Sequence, residues 1–332
     1  MAKLAFAIGM MGATLCASTG SAAEPLALHP KSSDTESAAR EQESEGDSVE
    51  VAFDQDRYER MTVPVTIDGK GPYRFFIDTG AQATVVTSRI KEDLSLEPSG
   101  RAMLVAMGSR RVVETLALDR LEFADRVLSG ITSPLLERKH IGADGILGLD
   151  SLQDMRVLID FAEDRMSIAD ADRTRDNSGF EIVVKARAKL GQMIITDAVI
   201  DGVKVAVIID TGAQNTVGNF ALLKKLKARE KDTFVSTDVH GTTITGGLAY
   251  AEALKIGRMQ LTNIPIGFAD SPAMDALGYG DRPALILGMG NLRLFQRVAI
   301  DFSSRRVLFD MPGNVSGPQR WRFNERATRL ES

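Results

Sequence analysis

The stretch Phe75-Phe76-Ile77-Asp78-Thr79-Gly80-Ala81-Gln82 recurs 132 residues later as Val207-Ile208-Ile209-Asp210-Thr211-Gly212-Ala213-Gln214. Each copy is preceded by an Asp-Gly pair that predicts a two-residue hairpin turn: Asp68-Gly69 after Val65-Thr66-Ile67, and Asp201-Gly202 after Val199-Ile200. Downstream, Gly145-Ile146-Leu147-Gly148 matches Leu285-Ile286-Leu287-Gly288, and Val157-Leu158-Ile159-Asp160-Phe161 matches Val298-Ala299-Ile300-Asp301-Phe302. A short polar turn and another apolar run follow each, Met166-Ser167-Ile168 or Val307-Leu308-Phe309. Landmarks that return in the same order with nearly the same spacing mark a duplicated domain.

Between the landmarks the pattern is one of short β-type runs punctuated by Gly, Asp and Pro. The helix candidates are Ser88 to Leu94 and Phe220 to Arg229, each beginning just after an Asp-Thr-Gly segment. The expected fold is therefore all-β, with two tandem lobes and one short helix in each. Lobe 1 spans 49–170 and lobe 2 spans 180–312, joined by a polar linker at 171–179.

One Asp-Thr-Gly is weak evidence, since chance supplies on the order of 0.1 copies in a chain of this length. Two copies at equivalent places in a repeat are different, because the chemistry needs two. A lone Asp is ionised at neutral pH and only accepts hydrogen bonds. Two carboxylates held a few ångströms apart cannot both ionise easily, so they share a proton. One can then take a proton from a water while the other, protonated, polarises a carbonyl. The hydroxyls of Thr79 and Thr211 are placed to cross-brace the two loops, and Gly80 and Gly212 let the backbone turn its N–H groups toward the carboxylates.

The two segments resemble the aspartic protease superfamily, specifically its retropepsin-like branch. Phe76-Ile77-Asp78-Thr79-Gly80-Ala81 and Ile208-Ile209-Asp210-Thr211-Gly212-Ala213 fit that family's catalytic loop, and Ile146-Leu147-Gly148 and Ile286-Leu287-Gly288 fit the segment packed behind it. The resemblance covers roughly residues 49–312. It implies the acid-protease fold, two retropepsin-like β-barrel lobes fused in one chain in the pepsin manner. It further implies catalytic Asp78 and Asp210, with Thr79, Gly80, Ala81, Thr211, Gly212 and Ala213 supporting the loops. It also implies a β-hairpin flap closing over substrate in each half. Turn chemistry places these at Leu104 to Val113, with its tip near Gly108-Ser109, and at Val239 to Leu248, with its tip at Gly246-Gly247. The chain departs from pepsin-like enzymes in its short lobes and in Ala81 and Ala213, where those enzymes carry Ser or Thr. Losing those hydroxyl donors leaves the carboxyl pKa values less depressed, which predicts activity reaching toward neutral pH.

The remaining sequence narrows the setting. The chain has 332 residues, 44% apolar and 26% charged, which suits a globular protein and excludes collagen, bulk disorder and a polytopic membrane protein. Its net charge of −5 is concentrated in 24–48, where seven acids face Lys31 and Arg40. That segment reads as a disordered acidic leader. The nearly neutral body gives no electrostatic case for nucleic acid. Residues 1–23 read as a signal peptide, from Lys3, the apolar run Leu4 to Leu15 and Ser21-Ala22-Ala23. Its apolar run is too short for a stable membrane span. The one cysteine, Cys16, lies inside it, so a cleaved chain has no thiol for disulfides, nucleophiles or metals. His29, His140 and His240 lack ligand spacing, so no metal site is expected, and no cofactor-binding motif is present. Residues 313–332 form a charged tail holding Trp321.

These readings converge on a periplasmic or secreted aspartic endopeptidase acting on protein or peptide substrates, monomeric, with Asp78 and Asp210 as its dyad. Two alternatives stand beside it. One is a non-catalytic peptide-binding protein that keeps the cleft. The other is a protease whose lobes pair between chains, giving a dimer.

Overall fold

The computed structural model describes residues 4–6, 62–171, 179–226, 228, 231–312 and 326–329. The signal-peptide, leader and tail readings, and the core of the linker, fall almost wholly outside the described residues. Within them the two halves build the same object. The Asp-Gly turns form as expected, with positive φ at both positions: Asp68 (50°), Gly69 (78°), Asp201 (44°) and Gly202 (80°). They close the hairpins Thr62–Ile67 with Lys70–Ile77, and Gln192–Ile200 with Val203–Ile209.

Each motif-bearing strand then pairs in parallel with the apolar segment found downstream in the repeat. Lys70–Ile77 lies beside Gly145–Leu147, with Phe76 opposite Ile146; Val203–Ile209 lies beside Ala284–Leu287, with Ile208 opposite Ile286. Strands so placed are covered on both faces, which is why Ala284, Leu285, Ile286 and Leu287 are all buried. In the first half the pairing continues around six strands and closes into a barrel when Arg110–Phe123 meets Arg126–Leu136. In the second half Gln192–Ile200 meets Thr243–Ile256 and closes the corresponding ring. Closure leaves few free strand edges.

A third sheet joins the lobes. Its order is Arg165–Asp170, Met155–Asp160, Arg297–Asp301, Arg306–Asp310, Ile182–Lys185. The repeated landmarks pair with one another at its centre, Val157 opposite Ile300 and Ile159 opposite Val298. All four are buried, and one apolar cluster runs from this sheet into both barrels. Fully burying side chains of this kind stabilises by about 1.5–3 kcal/mol each. Asp160 and Asp301 end their strands by accepting turn N–H groups, from Ala162 and Glu163 and from Ser304.

Two short strands at the chain ends add to the barrels: Leu4–Phe6 runs parallel to Met103–Val105, and Arg326–Arg329 pairs with Met259–Thr262. The helix Ser88–Leu94 appears as read, and Phe220–Leu226 covers the described part of the second. Each half carries two further one-turn helices, Arg138–Ile141 and Leu149–Leu152 in the first, Pro272–Ala276 and Met289–Leu292 in the second, where the sequence reading expected one helix per half. One turn is too short to show helical periodicity. Among the described residues no helix is long and apolar enough to cross a membrane.

Candidate active site

The strand Lys70–Ile77 delivers Asp78, and Val203–Ile209 delivers Asp210, to a common point between the lobes. The threonines join the two loops reciprocally. Thr79 N–H donates to Thr211 Oγ1 and Thr211 N–H to Thr79 Oγ1, both at 3.1 Å. Each hydroxyl then donates across the interface, Thr79 to the Ile209 carbonyl at 3.0 Å and Thr211 to the Ile77 carbonyl at 2.7 Å. Behind the loops, Asp78 and Asp210 donate their N–H groups to Leu147 and Leu287, while Leu149 and Met289 donate to Ala81 and Ala213. The apolar-apolar-Gly segments therefore hold the loops from below.

The carboxyls are built alike. Asp78 Oδ1 accepts from the N–H groups of Gly80 (2.8 Å) and Ala81 (2.9 Å); Asp210 Oδ1 accepts from Gly212 (2.8 Å) and Ala213 (3.2 Å). The other oxygen of each, Oδ2, is buried with no hydrogen-bond partner. A Cβ on Gly80 would strike the Asp210 carboxyl, and one on Gly212 would strike Asp78, so only glycine permits this approach. Both carboxyls are sealed from solvent, at 1% and 0% exposure. Burial pushes the Asp78 carboxyl up to about 7, against the hydrogen bond from Gly80, the one shared with the Asp210 carboxyl and the one from Ala81. Burial, and next the charge of Asp78, holds Asp210 well above its ordinary 3.8. A single proton between the two carboxyls satisfies both stranded oxygens at once.

The site is covered by the tips of two hairpins. The first joins Pro98–Val105 to Arg110–Phe123 and turns at 106–109, which places Gly108 and Ser109 at its tip. The second joins Asp232–Thr237 to Thr243–Ile256 and turns at 238–242. Gly246 and Gly247 are therefore not its tip; they lie within the strand, opposite Phe234 and Thr233. A Cβ on Gly246 would collide with the Phe268 carbonyl, so this glycine serves a close backbone approach rather than a turn. The turn itself is made by Asp238, whose Oδ1 accepts from His240 N–H (3.0 Å) and Thr242 N–H (2.9 Å).

The tips hold each other. Ser109 Oγ lies 2.5 Å from Asp238 Oδ2 and 2.7 Å from His240 Nδ1, and Arg111 donates to the His240 carbonyl and to Thr242 Oγ1. His140, distant from His240 in sequence, packs its ring against Gly241 of the same turn. Nothing in the sequence pattern reveals this cluster, because its members meet only once the lobes fold together. A cavity of about 560 Å³ opens beside the first loop, lined by Gln82, Ala83, Pro134, Leu149 and Leu190 among others. Among the described residues no cluster of His, Cys, Asp and Glu suits a metal ion.

A family model described as aspartyl protease matches residues 63–151 and, again, 196–290, together more than half of the chain. The chain belongs to the aspartyl protease family. The two matched segments are the two halves of the repeat, each carrying one Asp-Thr-Gly loop and one hairpin. Among solved structures, a retropepsin-like aspartic protease from Rickettsia conorii is similar at 20% identity over 39% of this chain and 89% of that one, with a TM-score of 0.27. No curated protein matches.

Proposed function

We propose that the protein is an aspartic endopeptidase that hydrolyses peptide bonds with a water activated by Asp78 and Asp210. The observation that carries this reading is the pair of buried carboxyls, each anchored through Oδ1 and each left with an unpartnered Oδ2. One member, ionised, draws a proton from the water as its oxygen bonds to the substrate carbonyl carbon. The other passes its proton to the carbonyl oxygen, giving a neutral tetrahedral intermediate. Return of a proton to the amide nitrogen then releases the amine product. No covalent enzyme intermediate and no metal is required.

Substrate reaches the pair only after the hairpin tips separate, so both hairpins act as flaps that exclude water on reclosing. The cavity beside Gln82 offers room for an extended peptide to continue past the cleft. Both loops are bridged within one chain, which supports a monomer. The signal-like N-terminus supports a periplasmic or secreted location. The test is digestion of a peptide library by the wild type and by Asp210→Asn, with and without pepstatin. Cleavage by the wild type alone, blocked by pepstatin, supports the reading; binding of peptides without cleavage by either protein replaces it with a peptide-binding role.

A further inference from the structure

We propose that Ser271 is a specificity-determining residue, through which the second-lobe pocket selects methionine from the substrate. The inference deepens the peptidase reading above and rests on it. The pocket is the one that Met107 fills in the closed chain, beside Ile208, Val217, Phe234, Ile244 and Ile286. Ile208 lies on the strand that delivers Asp210, and Ile286 pairs with it, so the pocket adjoins the carboxyl pair. Ser271 caps the helix Pro272–Ala276, its Oγ accepting from the Met274 N–H at 3.3 Å. A hydroxyl also has one proton to give, and Ser271 gives it to Met107 Sδ at 3.1 Å. Both residues are buried. Arg110 donates to the Pro272 carbonyl at 3.4 Å, a second contact that seats the first hairpin on the same helix.

Met107 therefore displays what the pocket takes: an unbranched apolar side chain whose sulfur accepts one hydrogen bond. When the tip withdraws and a peptide enters, the Ser271 proton loses that acceptor. A buried donor left without an acceptor is destabilising. A substrate side chain that restores the bond is thus favoured over one of equal shape that does not. Methionine restores it, whereas leucine and norleucine offer only hydrocarbon. A thioether is a weak acceptor, so the preference is graded rather than absolute. The first-lobe pocket is filled differently, by Val239 among Ala81, Val85 and Ile146. Valine is branched at Cβ and carries no acceptor. The two pockets thus call for different side chains, methionine toward the second lobe and a branched aliphatic toward the first.

The test uses the full chain and synthetic peptides with an apolar centre. Methionine or norleucine is placed in turn at each residue near the cleaved bond. Norleucine has the length and shape of methionine without the sulfur. The wild type should favour methionine at one of these places by roughly three- to tenfold in kcat/KM. At that place Ser271→Ala should bring the ratio to about one, because the donor is gone. Ser271→Gly removes the same hydroxyl at a helix start that tolerates glycine, which keeps the test available if Ser271→Ala does not fold. A merely structural role for Ser271 would lower turnover of both peptides alike and leave their ratio in place. Equal turnover of the two peptides at every place, or a methionine preference that survives in a folded Ser271 variant, overturns the proposal and leaves the peptidase reading standing. A chain that cuts no peptide sinks the peptidase reading, and the same ratio is then read from the Kd values of the bound peptides. A chain that binds none of them overturns both.

Discussion

Met107 and Val239 exchange lobes. Met107, at the first hairpin tip, is buried in a second-lobe cluster with Ile208, Ala213 and Ile286, while Val239, at the second tip, is buried in a first-lobe cluster with Ala81, Val85 and Ile146. Each tip shares its cluster with the alanine that follows the opposite Asp-Thr-Gly. The closed chain therefore fills the apolar pockets beside its own carboxyl pair. On the proposed function, substrate side chains take these places, and cleavage is expected between apolar residues.

Met107→Ala should loosen closure far more than it loosens the barrels. Removing a buried Met costs about 2–5 kcal/mol when the cavity stays open, and here the loss falls on the hairpin contact. The Ala106 N–H, which donates to the Ser109 carbonyl within the first tip, reports it directly. Its hydrogen exchange is expected to accelerate at least about tenfold, as a loss above 1.4 kcal/mol implies. Exchange at Ile159 and Ile300 in the central sheet should change little.

Acid should weaken the same contact through His240. Burial lowers its pKa below the ordinary 6.5; Asp238 opposes that shift, while Arg111 and His140 add to it. A proton thus binds more readily to the open form, in which the ring is exposed. Closure is fully favoured above 6.5 and weakens as pH falls from there through the lower closed-state value. Exchange at Ala106 should rise relative to the central sheet across this interval, and His240→Gln should flatten the dependence.

The carboxyl pair should cost stability at neutral pH. A folded pKa near 7 against an ordinary 3.8 means that the native state holds a proton that the unfolded chain has already lost. Stability from this source is fully present below 3.8 and is lost as pH rises through about 7. Asp78→Asn removes the charge, so it should raise Tm at pH 8 by roughly 2–4 °C or more and leave Tm almost unchanged at pH 4. Thermal melts at the two values check this.

Thr79→Ala should be costly and Thr79→Ser should not. The alanine strands the Thr211 N–H and the Ile209 carbonyl, both inside the interface. Two buried unsatisfied groups cost roughly 2–4 kcal/mol. Serine keeps the hydroxyl and should lose little more than a methyl contact. Urea melts of the two variants separate these outcomes.

The fold and the carboxyl pair were legible because duplication made them so. Asp78 and Asp210 each end an apolar strand at the same place in a repeat, and Asp68-Gly69 and Asp201-Gly202 carry a local conformational preference that survives folding. The second hairpin tip was misread for a physical reason. Gly246-Gly247 has turn chemistry, but Gly246 answers to the nearby Phe268 carbonyl, and the turn is supplied by the side chain of Asp238. The contact of Ser109 with Asp238 and His240 gave no signal, since a bond made across an interface leaves no periodicity in either segment.

On the proposed function, one ionised and one protonated carboxyl, at Asp78 and Asp210, carry out hydrolysis. The most direct measurement is kcat/KM against pH on one cleavable peptide, for the wild type, Asp78→Asn and Asp210→Asn. The wild type should show a near-neutral maximum, with an acidic limb approaching about 7, because burial keeps both carboxyls above the usual range. Both variants should lose at least about a thousandfold at every pH while melting cooperatively. Near-wild-type turnover in either variant, or a maximum below about pH 3.5, would contradict the account.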